Sequence, residues 1–202
     1  MAQDAGRQIL LIGHTGHPEV EGTVGQLPEG AILVIETREQ AENVEVRDPD
    51  NLAYVTQTTL SMDDTADIVQ ALTKRFPGIR GPSKSDICYA TANRQRAVKE
   101  IAPRCEVLIV MGSPNSSNSS RLVEVAALNG CPRALLVQRA ADIDWDSMNG
   151  IECLGITAGA SAPEVLIEGL LDACRQRFEV TLEEVSVIRE EVRFSLPREL
   201  TT

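Results

Sequence analysis

Cys88 stands alone in the stretch DICYATANRQRAV, where a loop gives way to a helical pattern through Arg94, Gln95, Val98 and Ile101. Thr91 or Asn93 is expected to cap that helix, placing Cys88 just ahead of backbone N–H groups that lack partners inside it. A thiolate in such a place is a nucleophile or a metal ligand. A plain buried cysteine is the third reading, because free cysteine is among the most buried residue types.

The chain's only two histidines, His14 and His17, fall in the polar turn HTGHPEVEG with Glu19 and Glu21 close behind. A histidine beside a carboxylate can hold an anion and relay a proton; an ordinary turn is the competing reading. HxxH with no third ligand gives weak support for a metal. The run SPNSSNSS puts hydroxyls and amides between a strand and a helix start, where an anion such as a diphosphate can be gripped without lysine. It also reads as a polar loop capped by serine. Ser161 is open in the same way, since a capping hydroxyl and a phosphate-facing hydroxyl can occupy one place.

The elements that position these loops follow from composition and pattern. In 202 residues, 43% hydrophobic content is enough for a real core, and 3% aromatics with abundant Val, Ile, Leu and Ala suit parallel strands covered by helices. A net charge of −11 argues against nucleic acid or an anionic membrane as partner, since both need a basic face. No apolar run approaches the roughly 18 residues of a membrane span, and MAQDAGRQ lacks a signal-peptide core, so a cytoplasmic protein is expected. The five cysteines include no CxxC, and Cys105, Cys153 and Cys174 read as core.

Strands are expected over residues 8–13, 30–35, 52–56, 106–112, 133–138 and 151–157. Helices are expected over 39–44, from Ser61 to Phe76, through Leu122, Val125 and Leu128, over 142–148, and from Pro163 onward. Ser61 with Asp64, and Ser161 with Glu164, have the spacing of capping boxes. Pro77, Gly78, Gly81 and Pro82 mark a domain boundary, and residues 180–196 alternate weakly, a pattern expected either to add strands at an edge or to reach another domain.

The two halves also resemble each other. ILLIG before HTGHPEVEG answers to VLIVMG before SPNSSNS, with Gly13 and Gly112 as matching strand ends 99 residues apart. LAYVTQTTLSMDD answers to CLGITAGASAPE, aligning Ser61 with Ser161. The expected fold is therefore α/β, with two similar parallel-sheet domains related by pseudo-symmetry, their loops converging on a shared site. Residues 1–84 form the first, 85–175 the second and 176–202 a tail. Cys88 lies 24 residues before Gly112, so its counterpart would fall upstream of Met1 and the first domain is expected to lack its opening segment.

Taken together, GHTGHPEVEG, TQTTLS, DICYATANRQ, GSPNSSNS and TAGASAPE resemble the 4-hydroxy-3-methylbut-2-enyl diphosphate reductases of the non-mevalonate isoprenoid pathway, in family order and over nearly the whole chain. The resemblance implies three pseudo-symmetric domains around a 4Fe-4S cluster held by three cysteines, with this chain as the carboxyl-terminal two-thirds. By that resemblance Cys88 is one cluster thiolate. Glu19 is the proton donor, acting through Thr58 on the substrate hydroxyl. His17, Ser116, Ser117, Asn118 and Ser161 are diphosphate contacts.

The implied reaction is reductive dehydroxylation to isopentenyl and dimethylallyl diphosphate, with electrons from a ferredoxin or flavodoxin. Only one of three cluster cysteines matches, so a cluster is not expected to be retained, nor activity, in these residues alone. Uncovered apolar surface is then expected to drive self-association. Two alternatives stand beside this: a non-catalytic diphosphate-binding or regulatory short form, and a hydrolase using Cys88 as nucleophile with His17 as base.

Overall fold

The structure is a computed structural model, and it describes residues 6–188. Its plan is set by two buried pentapeptides, β1 (Gln8–Ile12), apolar after Gln8, and β4 (Val107–Met111), apolar throughout. Strands with no polar alternation must be covered on both faces, and each is the centre of a three-stranded parallel sheet. In the first sheet β1 lies between β2 (Ile32–Ile35) and β3 (Leu52–Thr56), with Ile9 opposite both Ile32 and Ala53. In the second, β4 lies between β5 (Arg133–Val137) and β6 (Leu154–Ala158), with Leu108 opposite Ala134 and Gly155. The order is the same in both: the first strand central, the second and third on its flanks.

Alternate residues of the central strands feed opposite layers. Leu10 and Ile12 pack with Ile68, Leu72 and Phe76 around helix α3 (Met62–Arg75), next to the short α2 (Arg38–Asn43); Ile9 and Leu11 pack with Val20 of α1 (Pro18–Val24). In the second sheet Leu108 and Val110 meet Val98 of α4 (Tyr89–Ile101) and Leu122 and Val125 of α5 (Ser117–Leu128), whereas Ile109 and Met111 meet Leu170 and Cys174 of α6 (Glu164–Arg175). Each large aliphatic side chain so buried contributes about 1.5–3 kcal/mol relative to exposure.

The α/β class and the paired parallel sheets are as the sequence predicts, with strand ends trimmed by one to three residues at several places. Other local expectations change. Neither Thr91 nor Asn93 caps α4; the helix begins earlier and Cys88 itself is the N-cap residue, making no side-chain capping bond. Thr91 lies inside the helix and is buried. The helix expected over 142–148 is two single 3-10 turns, Ala140–Asp142 and Asp146–Met148.

Ser61 caps α3, accepting from the Asp64 N–H at 3.2 Å, but α6 is entered through Pro163 and Ser161 lies outside it. Strand pairing gives the reason: the second half is out of step with the first beyond the central strand, so Pro163 stands where Ser61 stands, and Ser161 matches Thr59. No strand occurs over the described part of the tail, residues 176–188; the rest of the expected edge strands lie outside the described residues. Cys105 and Cys174 are core as expected, Cys131 joins them, and Cys153 is only half-buried.

Candidate active site

Four loops leave the carboxyl ends of β1, β3, β4 and β6 and gather the polar residues. Gly13 ends β1 with its N–H on the Ile35 carbonyl at 3.1 Å, and Gly112 ends β4 with its N–H on that of Val137 at 2.9 Å. Glycine is required at both places by close approach: a methyl on Gly13 would lie 2.7 Å from Val20 Cγ2, and one on Gly112 would collide with Ser119. Val20 and Ser119 are each the third residue of the following helix, so the two strand–loop–helix turns are built alike.

The N-cap residues of those helices are His17 and Ser116. His17 Nδ1 accepts from the Glu19 N–H at 3.2 Å, which leaves Nε2 as the ring nitrogen able to donate to an anion. Ser116 Oγ accepts from the Ser119 N–H at 3.3 Å. Asn118 is 6% exposed, and neither its amide nitrogen nor its amide oxygen has a partner among the described residues. A buried carboxamide left unpaired costs about 1–3 kcal/mol, and this one lies in the first turn of α5.

Thr58 joins the two chemistries that the sequence singles out. Its N–H donates to Glu19 Oε1 at 2.9 Å, and its hydroxyl donates to Glu19 Oε2 at 3.1 Å. Its carbonyl accepts the N–H of Cys88 at 3.0 Å. One residue thus holds the carboxylate with two donors and the thiol-bearing helix with its acceptor. Cys88 is exposed at the start of α4.

The two polar loops also touch across the sheets. Gln57, 1% exposed, accepts the His14 N–H at 3.0 Å, and its amide nitrogen donates to Thr59 at 3.1 Å and Ser117 at 3.4 Å. Thr59 and Ser117 hydroxyls are 2.9 Å apart. Ser117 is therefore committed to this bridge. Ser161 is exposed in the turn between β6 and α6, just beyond Ala158, whose carbonyl accepts from Arg94 of α4 at 3.0 Å. Glu19, Thr58 and Cys88 are thus linked directly, His17 adjoins Glu19 and Ser117 reaches them through Thr59, while Ser161 lies in the turn whose Gly159 packs against Ser119 of α5.

Gln57, Thr59 and Arg121 carry weight that sequence reading missed. Gln57 and Thr59 lie inside the TQTTLS motif, but nothing in a sequence says that a glutamine will be buried as a bridge. Arg121 Nη2 lies 2.7 Å from His14 Nε2, and Asp64 and Glu124 neutralise it. On the far side of His14, Glu36 accepts the Thr15 hydroxyl at 2.5 Å, and that bond above all holds the Glu36 carboxyl below its ordinary pKa. A cavity of about 260 Å³ is lined by His14, Glu36, Asp64 and Arg121. A larger one, about 760 Å³, lies behind β6 among Ile101, Cys153, Ile156, Phe178 and Val180, away from this chemistry.

Cys88 is the one exposed thiol among the described residues. Among the described residues no three His, Cys, Asp or Glu side chains come together to hold a metal. None of the described helices is long and apolar enough to cross a membrane.

The two parallel α/β units are joined by polar loops that pair the Glu19 carboxylate with Thr58 and carry the buried Asn118 amide in the first turn of α5. The chain belongs to the LytB protein family, whose profile matches residues 1–175. It is 61% identical over 199 residues to the 4-hydroxy-3-methylbut-2-enyl diphosphate reductase of Ruegeria sp. (strain TM1040), covering 98% of this chain and 63% of that protein. It is 62% identical over 195 residues to the protein of that name from Beijerinckia indica, covering 96% of this chain and 61% of the relative. The solved E-1-hydroxy-2-methyl-but-2-enyl-4-diphosphate reductase from Plasmodium falciparum superposes with a TM-score of 0.88 at 34% identity, over 98% of this chain and 62% of that one. The chain thus spans a little over three fifths of the length of these relatives.

Proposed function

We propose that these residues form the diphosphate-binding and proton-delivering part of a 4-hydroxy-3-methylbut-2-enyl diphosphate reductase, with the two sheets as the family's second and third domains. The observation that carries this is Thr58, which grips Glu19 with its N–H and hydroxyl while its carbonyl holds the Cys88 N–H. In the reaction, one C–O bond breaks, one C–H bond forms and water leaves, at the expense of two electrons and two protons. Protonated Glu19 would donate to the Thr58 oxygen, and the Thr58 hydroxyl would pass its own proton to the departing substrate oxygen. Asn118, Ser116, Ser161 and the Nε2–H of His17 would hold the diphosphate, with Ser117 contributing from its bridge to Thr59.

Cys88 would be one thiolate of a 4Fe-4S cluster whose other ligands these residues do not supply. The 202 residues alone would then retain no cluster and turn over no substrate. A cytoplasmic setting and a ferredoxin or flavodoxin donor belong to the same proposal. Self-association through an uncovered apolar face also belongs to it, with Leu128 and Val165, 78% and 65% exposed, as the first side chains to examine.

The test is a thermal-shift titration of the 202-residue chain with inorganic diphosphate, before and after anaerobic incubation with iron and sulfide. Stabilisation that Asn118→Ala abolishes, with no cluster absorbance, is the expected result. No stabilisation would overturn the binding assignment, and a stable cluster with reductase turnover would overturn the claim that more ligands are needed. The unpaired Asn118 amide also favours a second reading, a non-catalytic diphosphate-binding form. Supplying the chain with a segment that carries the two further thiolates separates them: turnover selects the reductase, and its absence with diphosphate still bound selects the binding form.

A further inference from the structure

Gln95 is fully buried, two helical turns along α4 from Cys88, on the stripe that also buries Thr91 and Val98. Its carboxamide spends both ends on the backbone of the first unit. Nε2 donates to the Leu60 carbonyl at 2.7 Å, and Oε1 accepts the Met62 N–H at 3.0 Å. These two groups flank Ser61, the N-cap of α3, and Met62 is the first residue of that helix, whose N–H has no acceptor within it.

Helix α4 is therefore attached to the TQTTLS segment at two points. Near its start, the Cys88 N–H meets the Thr58 carbonyl at 3.0 Å; two turns on, Gln95 clamps residues 60 and 62. The second unit already holds α4 through Val98 and through Arg94 on the Ala158 carbonyl, and these two further attachments fix it against the first unit. Because Thr58 also carries the Glu19 carboxylate, the second attachment sets how the Cys88 thiol sits relative to the proton path.

We infer that Gln95 is a positioning residue that fixes the Cys88 end of α4 against the Glu19–Thr58 pair. Its meaning for catalysis rests on the reductase reading above, but the geometry can be tested without substrate or cluster, so failure of one leaves the other standing. A leucine would fill the site as well but with a branched shape; an unbranched methionine keeps the volume and removes both bonds.

The experiment follows amide hydrogen exchange at Cys88 and the rate of Cys88 alkylation by iodoacetamide in the 202-residue chain. Gln95→Met is expected to reduce protection of the Cys88 amide about tenfold and to raise alkylation about threefold, while the β4 amides of Leu108, Ile109 and Val110 keep theirs. Lys99→Met removes a surface ion pair from α4 to Asp63 and is expected to leave both Cys88 rates unchanged. Cys88 rates that stay at the wild-type value in Gln95→Met, or that rise only in step with the β4 amides, would overturn the inference, because a purely structural glutamine loosens the whole fold.

If Gln95→Met does not fold, Gln95→Glu decides. Burial and the facing Leu60 carbonyl favour the protonated carboxyl, which can make both bonds; once ionised at higher pH it still accepts from Met62 but cannot donate to Leu60, so Cys88 protection should fall as pH rises through that titration and recover when pH is lowered. Protection in Gln95→Glu that matches wild type throughout, or that does not recover, would be the contrary result.

Discussion

Glu19 and Thr58 are 39 positions apart in sequence, yet each carboxylate oxygen of Glu19 takes one donor of Thr58, N–H to Oε1 at 2.9 Å and hydroxyl to Oε2 at 3.1 Å. The N–H bond holds the carboxylate in place, and the hydroxyl bond is the one that can pass a proton. Thr58→Val should separate these roles. The N–H remains, so stability should drop by no more than the ~0.5–1.5 kcal/mol of one hydrogen bond in chemical denaturation. In an enzyme whose cluster is complete, kcat should fall by about 10²–10⁴, the usual worth of a positioned acid, with diphosphate affinity nearly unchanged. Equal losses in kcat and affinity would instead make Thr58 a substrate ligand.

The glycines at the strand ends give a steric prediction. Ser119 is wedged between Gly112 and Gly159, and a methyl on either would collide with its hydroxyl oxygen. Gly159→Ala and Gly112→Ala should each cost about 1–3 kcal/mol in urea unfolding, as overpacking does. Combined with Ser119→Ala they should part company. Beyond the removed oxygen, the Gly159 methyl meets Ser119 Cβ at 3.5 Å, an ordinary contact, whereas the Gly112 methyl meets it at 2.7 Å. The Gly159 double variant should recover most of its loss and the Gly112 double variant should not, a coupling readable from the two mutant cycles.

How much of this the sequence discloses depends on whether a residue acts by pattern or by partner. Residues 9–12 of β1 and the whole of β4 are uninterrupted apolar runs, and such runs declare a twice-covered parallel strand by residue type alone. Ser61 declares itself as a cap by its place before a helical period. Ser161 makes the same declaration and is not the cap, because the third strand of the second unit is registered so that Pro163 takes that place; local spacing holds no information about register. Gln57, Gln95 and Arg121 escape sequence reading altogether. Each is a long polar side chain whose role exists only once another segment is laid against it, as Leu60 and Met62 are against Gln95.

Below neutral pH the Thr15–Glu36 bond should be visible. The Thr15 hydroxyl, followed by the smaller influence of His14, keeps the Glu36 pKa below its ordinary 4.5. A carboxyl whose folded pKa is depressed contributes stability that is present above its unfolded pKa and lost as pH falls through the folded one. Thr15→Val should therefore move the Glu36 titration up toward 4.5 in carboxyl-detected NMR and flatten the acid limb of the stability curve. A Glu36 titration that does not move would place the cause elsewhere.

At alkaline pH the sign reverses for Cys105. Burial above all, then the Cys153 thiol 3.8 Å away, pushes the Cys105 pKa from 9.0 to about 12. A thiol whose folded pKa is raised stabilises the fold fully below its unfolded pKa, and that contribution is lost between pH 9.0 and about 12 as the unfolded chain ionises first. Cys105→Ala should weaken the fall in stability over that window, though it also costs some packing at neutral pH. The same protonation makes Cys105 a poor nucleophile. With iodoacetamide at pH 8, mass spectrometry of the native protein should find Cys88, which is exposed, modified well before the buried Cys105, Cys131 and Cys174. Prompt labelling of Cys105 would show that the loop carrying it opens, and the alkaline stability loss would then have to be assigned to another group.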